Sequence, residues 1–364
     1  MSWKHLFART LPHNPRHFAA HSHHLWPDAS FEGQQEAWED AAVLADRKWD
    51  KVFGEVWPEA QRHVAAELHL PDPDTIVFAP NTHDVLIRIA SAIERRPLRI
   101  AASAHEFHSF RRQVARWLEA GLVTLTHDLS APVDLVWISH VAFATGDLLV
   151  PELEAVAALA QDGRLVVVDG YHSFAAIPVN LSAVADRLFF VGGGYKYAMA
   201  GEGVAFAHCP PGLAERPLVT GWFAEFEDLS LPPGQVGYAK DARRLLGATF
   251  DPSGLYRFNH VQRTLRAEGL TTARVAAHVA MLQRQFVAGL EGTPLAAARL
   301  LNPLEAQPHA RFLAFQLSQA GAMQQRLAAR GITTDNRGDV LRIGFGLYHD
   351  PGDIDDLLAQ LRTI

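Results

Sequence analysis

Between residues 76 and 208, short apolar runs alternate with longer segments whose apolar residues recur every three or four positions. The runs are 76–78, 99–102, 123–126, 135–139, 165–169, 187–192 and 204–207, each strand-length and rich in Val, Ile, Leu or Phe. The segments between them, such as 83–93, 110–120 and 151–160, carry helical spacing. Alternation of this kind predicts an α/β fold: a mostly parallel seven-stranded sheet covered by helices on both faces, three layers in all.

The flanks read differently. Residues 32–50 carry an apolar helical stripe of Trp38, Ala41, Ala42, Ala45 and Trp49, and five of the eight tryptophans precede residue 58. Residues 1–50 are therefore expected to form an N-terminal arm that joins the small lobe, and 51–258 the large domain. Residues 209–256, with CPPG, LPPG and DPSG, read as a long irregular excursion. Residues 260–291 read as one long helix with a kink near Gly269. A strand (312–317), a helix (322–330), a strand (340–345) and a last helix (353–363) complete a smaller α+β domain over 259–364.

Composition narrows the functional classes. Lys+Arg 33 against Asp+Glu 40 leaves a net charge of −7, without the basic excess of a nucleic-acid binder. A single cysteine, Cys209, excludes an intrachain disulfide and a cysteine zinc site. No apolar stretch approaches the ~20 residues needed to span a bilayer. The first residues, MSWKHLFARTLPHNP, lack the apolar core of a signal peptide, so a soluble cytoplasmic protein is expected.

Chemistry concentrates in LVVVDGYHSFAAIPVNLSAVADRLFFVGGGYKYAMAGEGVAF. One buried strand ends in Asp169, and His172 follows; the next runs into Gly192-Gly193-Gly194-Tyr195-Lys196. Ligands of open α/β sheets sit at the carboxyl ends of strands. A carboxylate and an amine placed there suit pyridoxal 5'-phosphate. Asp169 would keep the ring nitrogen protonated and Lys196 would hold the aldehyde as a Schiff base. A helix-capping Asp and a solvated Lys are the plain alternative for either residue alone. A P-loop fails, because no GxxxxGK[ST] spacing exists. His21, His23 and His24 lack a companion Asp, Glu or Cys at metal-ligand spacing, so no metal is expected.

An ordered set of segments carries a wider likeness: HFAAHSHHLWP, APNTHDVL, HEFHSF, SHVAFATG, DGYHSF, GGYKYAMAGEG, VTGWF, YRFNHVQ and DNRGDVLRIGFGLYH. It resembles the fold-type-I, class V aminotransferase-like pyridoxal phosphate enzymes and, within them, the kynureninases. The resemblance implies a homodimer with active sites at the subunit interface. It implies that Asn81, Thr82 and His83 form the phosphate loop, where a helix start favours an anion. It implies that Phe110, with Phe107 as competitor, stacks on the pyridine ring. Asp169 becomes the ring-nitrogen partner and His172 a neighbour of the ring's far edge. Tyr195 becomes a phosphate contact and proton shuttle, and Lys196 the catalytic amine. Trp222, from the neighbouring subunit, and Asn259 would lie near the phosphate and the substrate ring. Arg342 would pair with the substrate carboxylate, with His83 and His23 also on the substrate side. The sequence departs from the pattern after the aromatic, where Arg111-Arg112-Gln113 stands instead of an FPxD-like segment.

The implied reaction is hydrolysis of the Cβ–Cγ bond of L-kynurenine, or its 3-hydroxy form, to anthranilate and L-alanine. The alternative is a class V aminotransferase or a related lyase acting on another amino acid. Cys209 follows a strand and precedes two prolines, which is not the setting of a mobile-loop nucleophile.

Overall fold

A computed structural model describes residues 2–225, 232, 234–305 and 308–364. The seven apolar runs become β1 (Ile76–Ala79), β2 (Leu98–Ala102), β3 (Val123–Thr126), β4 (Leu135–Ser139), β5 (Leu165–Asp169), β6 (Phe189–Gly193) and β7 (Ala205–His208). β1, β4, β5, β6 and β7 are buried along their whole length, which is why they read as continuous apolar runs rather than alternating ones. Their order is β1-β7-β6-β5-β4-β2-β3. Neighbours from β6 through β3 pair in parallel, whereas β7 is antiparallel to both β6 and β1. β1 therefore runs with β6, and every strand except β7 points its carboxyl end at the same edge. The expected fold class, a mostly parallel seven-stranded sheet with a smaller lobe, is the one observed.

Helices α1 (Asp28–Leu44), α2 (Lys48–Lys51) and α3 (Trp57–Leu68) precede the sheet; α4 (Thr82–Ser91), α5 (His108–Glu119) and α6 (Leu153–Ala157) connect its strands. The long helix expected over 260–291 is two helices, α7 (Ser253–Ala267) and α8 (Thr272–Ala288). Gly269 sits between them at φ +63°, a left-handed conformation that ends a helix rather than bending it. Thr271 then caps the next helix, its Oγ1 accepting the Arg274 N–H at 3.2 Å.

The second sheet has four antiparallel strands, β8 (Arg299–Leu300), β9 (Phe312–Gln316), β10 (Asp335–Arg337) and β11 (Val340–Gly344), in the order β10-β11-β9-β8. β8 and β10 have no apolar run and were not legible as strands. Helices α9 (Ala320–Ala328) and α10 (Pro351–Arg362) cover this sheet. Leu282, Phe286, Leu313, Ile343 and Leu357 give it a core of its own.

The N-terminal residues lie along this smaller sheet. His17 and Ala19 bridge to Thr333 and Gly344, and Lys4 pairs with Asp350 and Asp353 at 2.9 Å. α1 instead packs on α7, where the Tyr256 hydroxyl donates to Asp40 at 2.8 Å. The excursion over 209–256 contains short 3-10 turns at Trp222–Glu225 and Ala242–Leu245. Arg244 ties it together by donating to the carbonyls of Pro210 and Leu213. Residues 226–231 and 233, including part of LPPG, lie outside the described residues. Among the described residues, no helix is long and apolar enough to cross a membrane.

Candidate active site at the carboxyl edge of the large sheet

The strand register brings the chemistry together. Ser139, the last residue of β4, lies opposite Asp169, the last of β5, and Asp169 opposite Val191 of β6. Asp169 accepts the Tyr171 backbone N–H at 3.0 Å. The chain after β5 turns back so tightly that the Tyr171 ring lies against the backbone of Gly193. A Cβ at that glycine would come within 2.8 Å of the Tyr171 hydroxyl. This close approach lets the turn after β6 carry Lys196 back over Asp169.

The result is a cavity of about 360 Å³. Its walls include Asn81, Thr82 and His83, then Phe107, Ser139 and Phe143, then Asp169, Tyr171, His172, Tyr195 and Lys196, with Ser22 and Arg337 on the remaining side. Asn81 caps α4, its side-chain oxygen accepting the Asp84 N–H at 3.0 Å, so free N–H groups of the first helical turn face the cavity end.

Lys196 is the electrostatic centre. Its amine lies 2.5 Å from His172 Nε2 and between the rings of Tyr171 (5.3 Å) and Phe143 (5.7 Å). Burial, then the nearby Arg342 charge, pushes the amine down to about 7, against the opposing pull of Asp169 and Asp335. Burial, then the charges of Lys196 and Arg342, hold His172 neutral, well below the ordinary histidine range. Burial raises the Asp169 carboxyl, opposed by the Tyr171 N–H and by Lys196. A neutral amine is thus available near pH 7, which a solvated lysine would not supply.

Of the residues expected at the site, Asn81, Thr82, His83, Asp169, His172, Tyr195 and Lys196 line one cavity. Five do not. Phe110 points into the large core and stacks on Trp137 at 5.3 Å; Phe107, the competitor, faces the cavity instead. The reason is helical register. Phe107 is the N-cap of α5 and stays at the rim, while Phe110 lies one turn further, on the buried face. Asn259 is buried on α7 and donates to the Val56 carbonyl at 2.9 Å, a bond between helices. Trp222 stacks on Phe223 at 3.9 Å and does not reach this cavity within the chain. His23 stands behind the wall, edge-on to Tyr195 at 5.2 Å, and Ser22 takes the lining position. His21 and His24 are buried separately, His21 against Phe312 and His24 against Phe7.

Arg342 is the fifth. It lies in the middle of β11 with no exposed surface. One terminal nitrogen donates to Asp335 and the other to the Phe143 carbonyl at 2.6 Å. Arg337, which sequence reasoning passed over, is the arginine on the cavity wall. Glu106 was also missed. Its carboxylate accepts the Ser139 N–H (2.9 Å) and hydroxyl (2.6 Å) and the Ser103 hydroxyl (2.5 Å), behind the Ser139–Phe107 wall. Burial raises it to about 7 despite these bonds.

Solved structures resemble the whole chain. A cysteine desulfurase from Thermococcus onnurineus NA1, in its apo form, superposes with a TM-score of 0.78 at 18% identity, covering 96% of this chain and 94% of that one. The Escherichia coli cysteine desulfurase CsdA gives 0.80 at 16% identity, covering 99% and 97%. The chain has the cysteine desulfurase fold. A cystine C–S lyase, C-DES, in complex with its product cysteine persulfide, shares it at a TM-score of 0.79 and 18% identity, covering 95% of this chain and 97% of that one. In sequence, isopenicillin N epimerase from Streptomyces clavuligerus is 34% identical over 116 residues. That match spans 30% of this chain and 29% of the epimerase. No family model matches the chain.

Proposed function

We propose that the chain is a pyridoxal-phosphate-dependent class V enzyme, a lyase that acts on an amino acid and releases its products to solution. The observation that carries this is the buried Lys196 amine, held near neutrality beside Asp169 in one cavity with the Asn81–Thr82–His83 helix start.

The residues fit the cofactor. Lys196 would tether the aldehyde, Asp169 would hold the ring nitrogen, and the start of α4 would take the phosphate. Phe107 offers the aromatic face. Two buried cavity atoms, His83 Nδ1 and His172 Nδ1, have no hydrogen-bond partner, which a polar ligand would remedy. When bound, the cofactor supplies an electron sink for charge developing at the substrate α-carbon. The Lys196 amine is positioned to take a proton there, and neutral His172 at 2.5 Å can share it. Phe143 and Tyr171 flank the amine and keep water from it. Tyr195, whose hydroxyl is raised by burial and by Glu202, keeps its proton and can donate it at the rim.

A desulfurase that carries sulfur on its own thiol fits less well. Cys209 is the chain's single cysteine, is buried after β7, and has its thiol pushed up to about 12 by burial. Kynurenine hydrolysis is the narrower reading, and one observation favours it. Phe107 and Phe143 meet edge to face at 5.1 Å on the cavity wall, a surface suited to an aryl group. The relatives named above are desulfurases, a cystine lyase and an epimerase, so the broader lyase reading stands first.

The test is product analysis on chain reconstituted with pyridoxal phosphate. L-Cystine and β-chloro-L-alanine should yield pyruvate and ammonia without added keto acid. Turnover that requires 2-oxoglutarate would make it an aminotransferase, and anthranilate fluorescence from L-kynurenine alone would make the narrower reading the right one.

A further inference from the structure

Behind the cavity wall lies a buried carboxylate for which the reaction proposed above has no role. Glu106 stands between β2 and α5 with 1% of its surface exposed. Its Oε1 accepts the Ser103 hydroxyl at 2.5 Å and the Ser139 N–H at 2.9 Å, and its Oε2 accepts the Ser139 hydroxyl at 2.6 Å. All three donors are neutral. The leading charge that acts on the carboxylate is that of Asp169, of like sign. An anion buried in this way, without a cation beside it, is costly to keep and takes a proton readily.

The two serines open on different spaces. Ser139 ends β4 and lines the catalytic cavity, opposite Asp169 in the strand register. Ser103 is partly exposed and lines a separate hollow of about 240 Å³, with Phe110, Arg111 and His127. The His105 N–H donates to the Ser103 oxygen at 3.2 Å and holds it in place. The titratable groups of the elements around Glu106 are Asp169 at the end of β5, His140 after β4, His127 after β3, Arg111 of α5 and, across the cavity, Lys196. The two histidines are engaged elsewhere, His140 with Ser173 at 2.9 Å and His127 with the Ala102 carbonyl at 2.8 Å.

We propose that Glu106 is a positioning residue that takes up and returns one proton through Ser103, and so reverses the hydrogen bond that Ser139 offers to a ligand in the cavity. As a carboxylate it takes the Ser139 hydroxyl hydrogen, which leaves an oxygen lone pair for the ligand. As a carboxylic acid it donates to the Ser139 oxygen, which frees the hydroxyl hydrogen to point at the ligand. The proton comes from solvent in the hollow. Ser103 passes its own hydrogen to Glu106 and takes another from solvent, so only O–H bonds break and form. The proposal goes beyond the function given above and rests on it only for the identity of the ligand.

The test uses the full chain, with and without pyridoxal phosphate. Infrared difference spectra between about pH 5.5 and about pH 8.5 read the carbonyl stretch of a protonated carboxylic acid. Wild type minus Glu106→Gln should show one such band, lost as pH rises, with its midpoint at about 7. Ser139→Ala removes a donor from the anion and should move that midpoint up by at least about one pH unit. Because this variant keeps Glu106, the shift is read directly against wild type should Glu106→Gln fail to fold. In the loaded chain, the visible band of the cofactor should carry a pH-dependent component with the wild-type midpoint, absent in both variants. A residue that only braced the wall would alter stability and leave that pH dependence in place. A wild type without the acid band, or a loaded Glu106→Gln with the wild-type pH dependence, overturns the proposal and leaves the function reading standing. A wild type that shows the acid band and its shift in Ser139→Ala but binds no cofactor supports the proposal and overturns the function reading.

Discussion

The two walls of the cavity are built on opposite principles. The large-sheet wall places Asp169, Ser139 and Lys196 by backbone register and leaves their chemistry unfinished. Among the described residues, Lys196 has no carboxylate in ion-pair contact, and His172 and His83 each keep a buried nitrogen unpartnered. On the small-lobe wall a single carboxylate, Asp335, pairs with both Arg342 and Arg337. The small-lobe wall instead pairs its charges internally, with Arg337 far more exposed than Arg342.

Substitutions can break that contrast. Asp169→Asn should retain the tethered cofactor and lower turnover by about a hundredfold or more, since it removes one charged group aimed at the reacting system; rates measured on the loaded variant check this. A variant with wild-type rates would detach Asp169 from the chemistry. The small-lobe arginines should separate by readout. Arg342→Ala removes the donor of the Phe143 carbonyl and the buried partner of Asp335 Oδ2 in a closed site, and should cost about 3 kcal/mol in urea unfolding. Arg337→Ala removes a half-exposed pair and should cost well under 1 kcal/mol. Equal losses would mean that burial does not separate the two arginines.

Acid should act on both regions through buried histidines. Burial lowers His140 and His208 of the large lobe, and His17 beside the small one, to about 4, and His24 to about 3. The unfolded chain binds these protons near pH 6.5, the folded chain only below about 4. Stability is therefore full above pH 6.5 and falls as pH drops through this window. Melting temperature followed from pH 7.5 to 4.5 should decline steadily. A flat profile would mean that these imidazoles are protonated in the folded state.

The same division governs what could be read from the chain. Strands buried on both faces announce themselves as apolar runs, so β1 and β4 to β7 and the strand-end positions of Asp169 and Lys196 were legible. Phe107 and Phe110 were not separable, because both fit a helix start and only the packing of Phe110 on Trp137 shows which one turns inward. Gly269 marked an interruption, but a left-handed φ ends a helix where a kink was expected. Arg342 drew notice because an arginine in an apolar strand is conspicuous. Arg337 sits in DNRGD, a charged segment indistinguishable from a surface loop until β10 pairs with β11. Glu106 gave no signal, since its partner Ser139 lies 33 residues further along the chain.

The central claim is a covalent link at one nitrogen. Chain purified with pyridoxal phosphate, reduced with borohydride and digested should carry the pyridoxyl mass on the peptide containing Lys196. Lys196→Ala treated identically should carry none. A label on another lysine, or none on wild-type protein that has been saturated with the cofactor, would contradict the account.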